Sequence, residues 1–415
     1  MEFQKIKLHR SEKNRAAVTQ ITLDDDYNVP DYRQDIVKVI KERGELRFDE
    51  VKAMEGAAWI KGSLVFKVLY RSDKQEGKIS CLRGEIPFQE RLNMDGLSEY
   101  DAVHATGDME DLTIGVINSR KLNVRAVIVL TASSEKEVDE ELTCELSDGS
   151  SYEQNIVEKE ALKLLVVRRD ICRQKSEAVL PSSKPNIREI LWQSMQLRNV
   201  ESRLVEGKIR LSGEILVSIL YNDEEEGEHL SWYETTVPLD AQAECGVMED
   251  DCIWQVQMVP LTMELEVKPD YDGEERILVM ELALDTHIRI WKEEKIRLLT
   301  DLYSLQKEVK PVFRECPLER LLVKNAAKCR MTEQMELKED KEKVLQICSC
   351  EGKVLLERQE IKPDGVLAEG TVEVNILYIT PDDHMPVGAV QEIYPFSQLV
   401  EIPEMSAQAK GEFCL

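Results

Sequence analysis

Gly213-Glu214-Ile215-Leu216-Val217-Ser218-Ile219-Leu220-Tyr221 occurs three times along the chain in altered form. The first copy is Gly62-Ser63-Leu64-Val65-Phe66-Lys67-Val68-Leu69-Tyr70 and the third is Gly370-Thr371-Val372-Glu373-Val374-Asn375-Ile376-Leu377-Tyr378. Each is a glycine, seven residues and a tyrosine, with leucine before the tyrosine. Seventeen residues after each tyrosine comes a proline, Pro87, Pro238 or Pro395, flanked as Ile86-Pro87-Phe88, Val237-Pro238-Leu239 and Tyr394-Pro395-Phe396. Side chains alternate between faces along a strand, and Ile209, Leu211, Gly213, Ile215, Val217, Ile219 and Tyr221 share one parity. Arg210, Ser212, Glu214 and Ser218 take the other, with Leu216 and Leu220. The pattern predicts a β-strand with one buried and one wetter face. The tyrosine reads as a strand-end aromatic with its ring in the core and its hydroxyl at the rim. The glycine sits on the apolar face, which implies a bulge or a close approach by another segment.

The tyrosines are 151 and 157 residues apart, so the repeats are tandem domains rather than solenoid turns. The expected class is mainly β: three tandem, sandwich-like domains, each with a short helix, the third incomplete. The expected boundaries are 1–132 for the first repeat, 133–157 for an acidic, Ser-rich linker, 158–293 for the second repeat and 294–415 for a truncated third. The short helices are placed at Pro30 to Val37, at its counterpart Pro185 to Leu191 and at Pro317 to Leu322, where proline precedes acidic and aliphatic residues. Glu293 to Lys310 reads either as helix or as the opening strand of the third unit. Polar turns follow the first two tyrosine strands, at Ser72 to Gly77 and Asn222 to Gly227, and a second hairpin closes units one and two. Only 20 residues follow Pro395, so that hairpin is expected to be absent from unit three.

The 415 residues carry a formal net charge of −26, from 80 acidic and 54 basic side chains, which argues against nucleic acid as partner. The local basic cluster Arg168, Arg169, Arg173 and Lys175 reads as a solvated face. The N-terminus has no apolar signal core and no stretch is long enough for a transmembrane helix, so a protein made for the cytoplasm is expected. The ten cysteines do not recur at matching positions and are expected to be reduced. Cys348 and Cys350, two apart, are expected on one face of a strand. The five histidines show no metal-ligand spacing, and no phosphate loop or nucleophile elbow is present. Asp270 to Glu281 fails as a calcium loop because its sixth position is Glu275 rather than glycine. The pair Asp285 and His287 reads as part of a polar sheet face. The expected catalytic, cofactor and metal residues are therefore none. The repeat-defining residues are structural: Gly62, Tyr70, Pro87, Gly213, Tyr221, Pro238, Gly370, Tyr378 and Pro395.

Lys184-Pro185-Asn186-Ile187-Arg188-Glu189-Ile190-Leu191, then Gly207, Gly213, Tyr221 and Val237-Pro238-Leu239, resemble the SPOCS domain, a spore-coat-associated domain of anaerobic, spore-forming Firmicutes. The resemblance implies a non-enzymatic scaffold in spore-coat assembly, acting in the mother cell at the forespore surface. It implies a coat morphogenetic partner of the basement-layer ATPase type. Relatives often end in a LysM peptidoglycan-type domain; none follows here, so peptidoglycan contact through such a domain is not expected. The other readings are an envelope carbohydrate-binding module built on Trp59, Trp192, Trp232, Trp254 and Trp291, and an uncharacterised hydrolase.

Overall fold

The computed structural model describes residues 2–72, 77–147, 152–224, 229–249, 251–306, 308–325, 328–337, 343–402, 405 and 409–411, and all their side chains except those of residues 12–15. The centres of the two polar turns, residues 148–151 and residues 412–415 lie outside this set. The described residues form fifteen strands in five three-stranded antiparallel sheets.

In unit one, β2 (Lys38–Met54), β3 (Ala57–Arg71) and β4 (Ile79–Asn93) make one sheet. It packs on a second, of β1 (Phe3–Asn28), β6 (Lys121–Leu146) and β5 (Val103–Asn118), through a shared apolar core that includes Phe66, Tyr70, Leu122 and Ile128. Unit two repeats the plan. Its sheets are β8 (Ile187–Val205), β9 (Lys208–Asp223) and β10 (Leu230–Glu244), and β11 (Cys252–Pro269), β12 (Glu275–Tyr303) and β7 (Glu153–Val179). Unit three has a single sheet among the described residues, of β13 (Gln346–Lys362), β14 (Gly365–Ile379) and β15 (Val387–Glu401). The Gly-x7-Tyr stretches are the central strands β3, β9 and β14, each hydrogen-bonded on both sides.

Several expectations are corrected. No short helix forms among the described residues. Pro30 opens a β-turn, with Arg33 N donating to Pro30 O at 2.9 Å, and its counterpart is Pro181 rather than Pro185, with Lys184 N on Pro181 O at 2.9 Å. In both units an arginine from the β5–β6 or β11–β12 hairpin holds the carbonyls of the turn, and in unit two the stretch expected as helix enters β8 at Ile187. Arg120 donates to the carbonyls of Val29, Pro30 and Arg33, and Arg276 to those of Leu180, Pro181 and Lys184. Pro317 to Leu322 is an extended strap. Leu162 N donates to Glu319 O at 2.7 Å, and Cys316 and Leu318 pack on Leu8, Leu142, Ala161 and Ile296.

Those same apolar residues explain why the stretch expected as a linker is mostly strand. β6 runs on to Leu146 and β7 begins at Glu153, and the outer ends of β1 and β6 pack on those of β7 and β12. β12 likewise passes residue 293 and ends at Tyr303, pairing with β7 throughout. Cys348 and Cys350 are not on one face. A bulge between Ile347 and Ser349 turns Cys348 into a buried cluster and leaves Cys350 exposed.

Candidate functional site: the three-unit junction

The recurring tyrosine and the leucine before it point to opposite faces of their strand. Tyr70, Tyr221 and Tyr378 are buried within their own units. Tyr70 Oη donates to Gln34 O at 3.1 Å and Tyr221 Oη to Pro185 O at 3.2 Å, so each hydroxyl anchors the loop that was expected to be helical. Burial pushes the Tyr221 phenol up to about 12. The shared glycines face irregular backbone on the neighbouring strand. A Cβ on Gly62 would lie 2.4 Å from Arg47 O, and one on Gly370 would lie 2.0 Å from Leu355 O. Gly213 stands opposite the bulge between Arg198 and Glu201. Pro87, Pro238 and Pro395 lie on β4, β10 and β15, edge strands of their sheets, where a missing N–H breaks no inner ladder.

Leu69, Leu220 and Leu377 face away from those cores and meet one another. With Ile79, Leu191, Trp192, Cys348 and Val387 they form one buried cluster drawn from all three units. Each leucine sits beside a bulge at the same place in its unit, at Ile40, Leu191 and Cys348. The three sheets meet cyclically: β4 lies against β8, β10 against β13 and β15 against β2. Cys81 Sγ reaches Ile190 O at 3.7 Å across the first contact, and Gln196 Nε2 donates to Cys350 O at 2.9 Å between units two and three. The tandem repeats therefore close into a pseudo-threefold ring. Burying each leucine contributes about 1.5–3 kcal/mol.

Beside this apolar hub lies a polar tier. Lys41, Trp192 and Ser349 are register partners of the three leucines, and Arg43, Ser194 and Glu351 are the next residues on the same face. Lys41 Nζ is 3.7 Å from Glu351 Oε1 and 5.4 Å from the centre of the Trp192 ring. Burial lowers the Lys41 pKa, and Glu351 opposes that.

Units one and two share a second polar contact. Arg169 Nε donates to both Asp285 oxygens at 2.7 and 2.8 Å, and Arg169 also bonds His104 Nδ1. His287 Nε2 is 3.3 Å from Glu135 Oε2, and the His104 and His287 rings are 5.9 Å apart. Asp285 and His287 thus serve different partners and do not form a dyad. The local basic cluster is also largely paired: besides Arg169, Lys175 meets Glu281 at 2.8 Å and Arg168 meets Asp170 at 3.9 Å.

None of the five tryptophans is exposed. Trp192 is in the hub, Trp232 packs against it under Lys184 Nζ at 4.7 Å, and Trp254 lies under Lys324 Nζ at 4.2 Å. The Asp270 to Glu274 turn is closed by Asp270 Oδ1, which accepts from Asp272 N and Glu274 N at 2.9 and 3.0 Å. Among the described residues no group of three or more His, Cys, Asp or Glu is placed to hold a metal ion. An open depression of about 480 Å³ is lined by Glu158, Lys159, Glu160, Lys295, Leu318 and Arg320.

Comparison with known families matches the SipL, SPOCS domain to residues 35–117, 186–268 and 343–413. The chain belongs to the SPOCS-domain family. Each match in units one and two begins near the loop held by the tyrosine and runs into β5 or β11, so the long strands β1, β6, β7 and β12 lie largely outside it. No curated protein and no solved structure matches. The SPOCS family is associated with sporulation and the spore coat, and it is not a known enzyme family. Among the described residues, no helix is long and apolar enough to cross a membrane.

Proposed function

We propose that this SPOCS protein is a non-enzymatic scaffold of spore-coat assembly, acting in the mother cell at the forespore surface. Its partner is a coat morphogenetic protein of the basement-layer ATPase type. The observation that carries this reading is where the recurring residues act. Gly, Leu, Tyr and Pro recur in all three units; the glycines and tyrosines pack within each unit, the leucines join the units, and the prolines lie exposed on edge strands. A protein whose repeated residues build one ring invests in a platform, and its binding surface lies on the residues that differ between units. Pull-down from sporulating cells with the full chain tests this. Retention of a coat morphogenetic protein is expected, and deletion of the gene should give a coat defect. Retention of none, or expression confined to vegetative growth, would overturn it.

A further inference from the structure

The polar tier of the ring contains five buried side-chain atoms that have no hydrogen-bond partner: Lys41 Nζ, Trp192 Nε1, Ser194 Oγ, Ser349 Oγ and Glu351 Oε1. They come from all three units and occupy two equivalent register positions on the ring-facing side of β2, β8 and β13. Trp192, Ser194 and Ser349 are at most 4 % exposed and Lys41 is 6 % exposed. A buried donor without an acceptor is costly, and a cluster of them calls for a partner such as an ion or water.

The chemistry of the cluster selects between these. An indole N–H and an ammonium only donate, and the two hydroxyls can donate, so the cluster is rich in donors. Its one acceptor-only atom, Glu351 Oε1, lies 3.7 Å from Lys41 Nζ. The charges lean the same way. Lys41, Arg43 and Lys67, the register partner of Arg43, face Glu351 and Glu45, which leaves one positive charge uncompensated. In the same register row Arg83 stands beside Lys67, and Glu234 accepts from Ser218 Oγ, the register partner of Ser194, at 3.2 Å, which adds one charge of each sign. Lys41, Trp192, Ser194 and Ser349 are buried beside the apolar hub, and a low local dielectric strengthens attraction for a counter-charge.

We propose that the axis of the ring binds one small monovalent anion, of halide size, held by Lys41, Trp192 Nε1, Ser194 and Ser349. One such ion neutralises the junction and satisfies donors from all three units at once, so binding it ties the ring shut. A ligand that binds only the closed ring stabilises it by mass action.

The test uses the full chain. Crystals grown in sodium bromide should show a bromide anomalous peak within hydrogen-bonding distance of Lys41 and Ser349. The unfolding midpoint should be about 2–4 °C higher in sodium chloride than in sodium gluconate at equal ionic strength. That difference should vanish in Lys41→Gln and shrink in Ser349→Ala, which removes only an unpartnered hydroxyl. If Lys41→Gln fails to fold, the bromide map of the unaltered chain still decides. Water alone at the site, or equal midpoints in the two salts, would overturn the proposal.

Discussion

The sheets β8–β10 and β13–β15 are built from the same repeat, in the same register, yet among the described residues only the first is covered by a second sheet. Val217 in β9 is 1 % exposed beneath the second sheet of unit two, whereas Val374, its equivalent in β14, is half-buried. The face bearing Val374 also leaves Ile347 at 47 % and Val354 at 46 % exposure. On the opposite side the two sheets are alike, with Leu220 at 1 % and Leu377 at 0 %. Among the described residues, all three units share this sheet and its place in the ring. What is common to all three units is the junction.

If that is right, truncating the junction should hurt equally in either unit. Leu220→Ala and Leu377→Ala should each cost about 3–4 kcal/mol, the usual loss for a buried leucine whose surroundings collapse only partly. Hydrogen exchange should show protection falling in all three central strands in both variants. A loss confined to the mutated unit would mean that the ring is not a cooperative element.

The covered and uncovered faces separate with a smaller, matched pair. Val217→Ala should cost about 2 kcal/mol, from two lost methyl groups and the cavity they leave. Val374→Ala, the same change at the same repeat position, should cost less than about 1 kcal/mol. Equal denaturant midpoints for the two would show that Val374 is covered in solution.

Much of this was legible in the sequence, and the rest was hidden for identifiable reasons. Period-two alternation around Gly213 to Tyr221 gave the strand, its inward face and the repeat. It could not assign Leu220, which looked like an apolar residue stranded on a wet face. A face buried only between units carries too few apolar positions to read as core. The helices expected at Pro30 and Pro317 rested on local composition, whereas the arginine that claims the first loop's carbonyls, Arg120, lies some 90 positions away. The outer end of β6 and the start of β7 read as linker because they are rich in Ser, Glu and Asp, but the outer ends of β1 and β6 pair with each other. They are a two-stranded ribbon supported by cross-strand pairs such as Lys5 with Glu141 at 3.0 Å. The bulge that separates Cys348 from Cys350 breaks the very parity by which they were assigned.

The tyrosine hydroxyls offer a finer probe. Tyr221→Phe keeps the ring in the core and removes one hydrogen bond to Pro185 O, so a loss of about 1 kcal/mol is expected. Tyr70→Phe should match it, since Tyr70 makes the equivalent bond to Gln34 O. Urea denaturation of both variants checks this. A much larger loss in one would show that its loop, and not the ring alone, sets the stability of that unit.

The last contrast is between the two ways in which units one and two touch. The hub is apolar where Leu69 meets Leu220, and that contact has nothing to titrate. The contact through His104 and His287 does. Burial, and then Arg169, lower the His104 pKa; burial also lowers that of His287, against the pull of Glu135 and with Arg289 acting in the same direction as burial. A histidine whose folded pKa is lowered binds protons more readily when unfolded. Stability is then fully present above the unfolded value, about 6.5, and declines as pH falls from there toward the folded value. Protonated His104 can no longer accept from Arg169, and it faces a second cation in that arginine, so the loss is specific to this contact. His104→Gln, which cannot gain the proton, should flatten the stability profile below about pH 6.5 while leaving the value at pH 8 nearly unchanged. An unaltered slope in that variant would place the acid sensitivity on other groups and leave this contact as inert to pH as the hub.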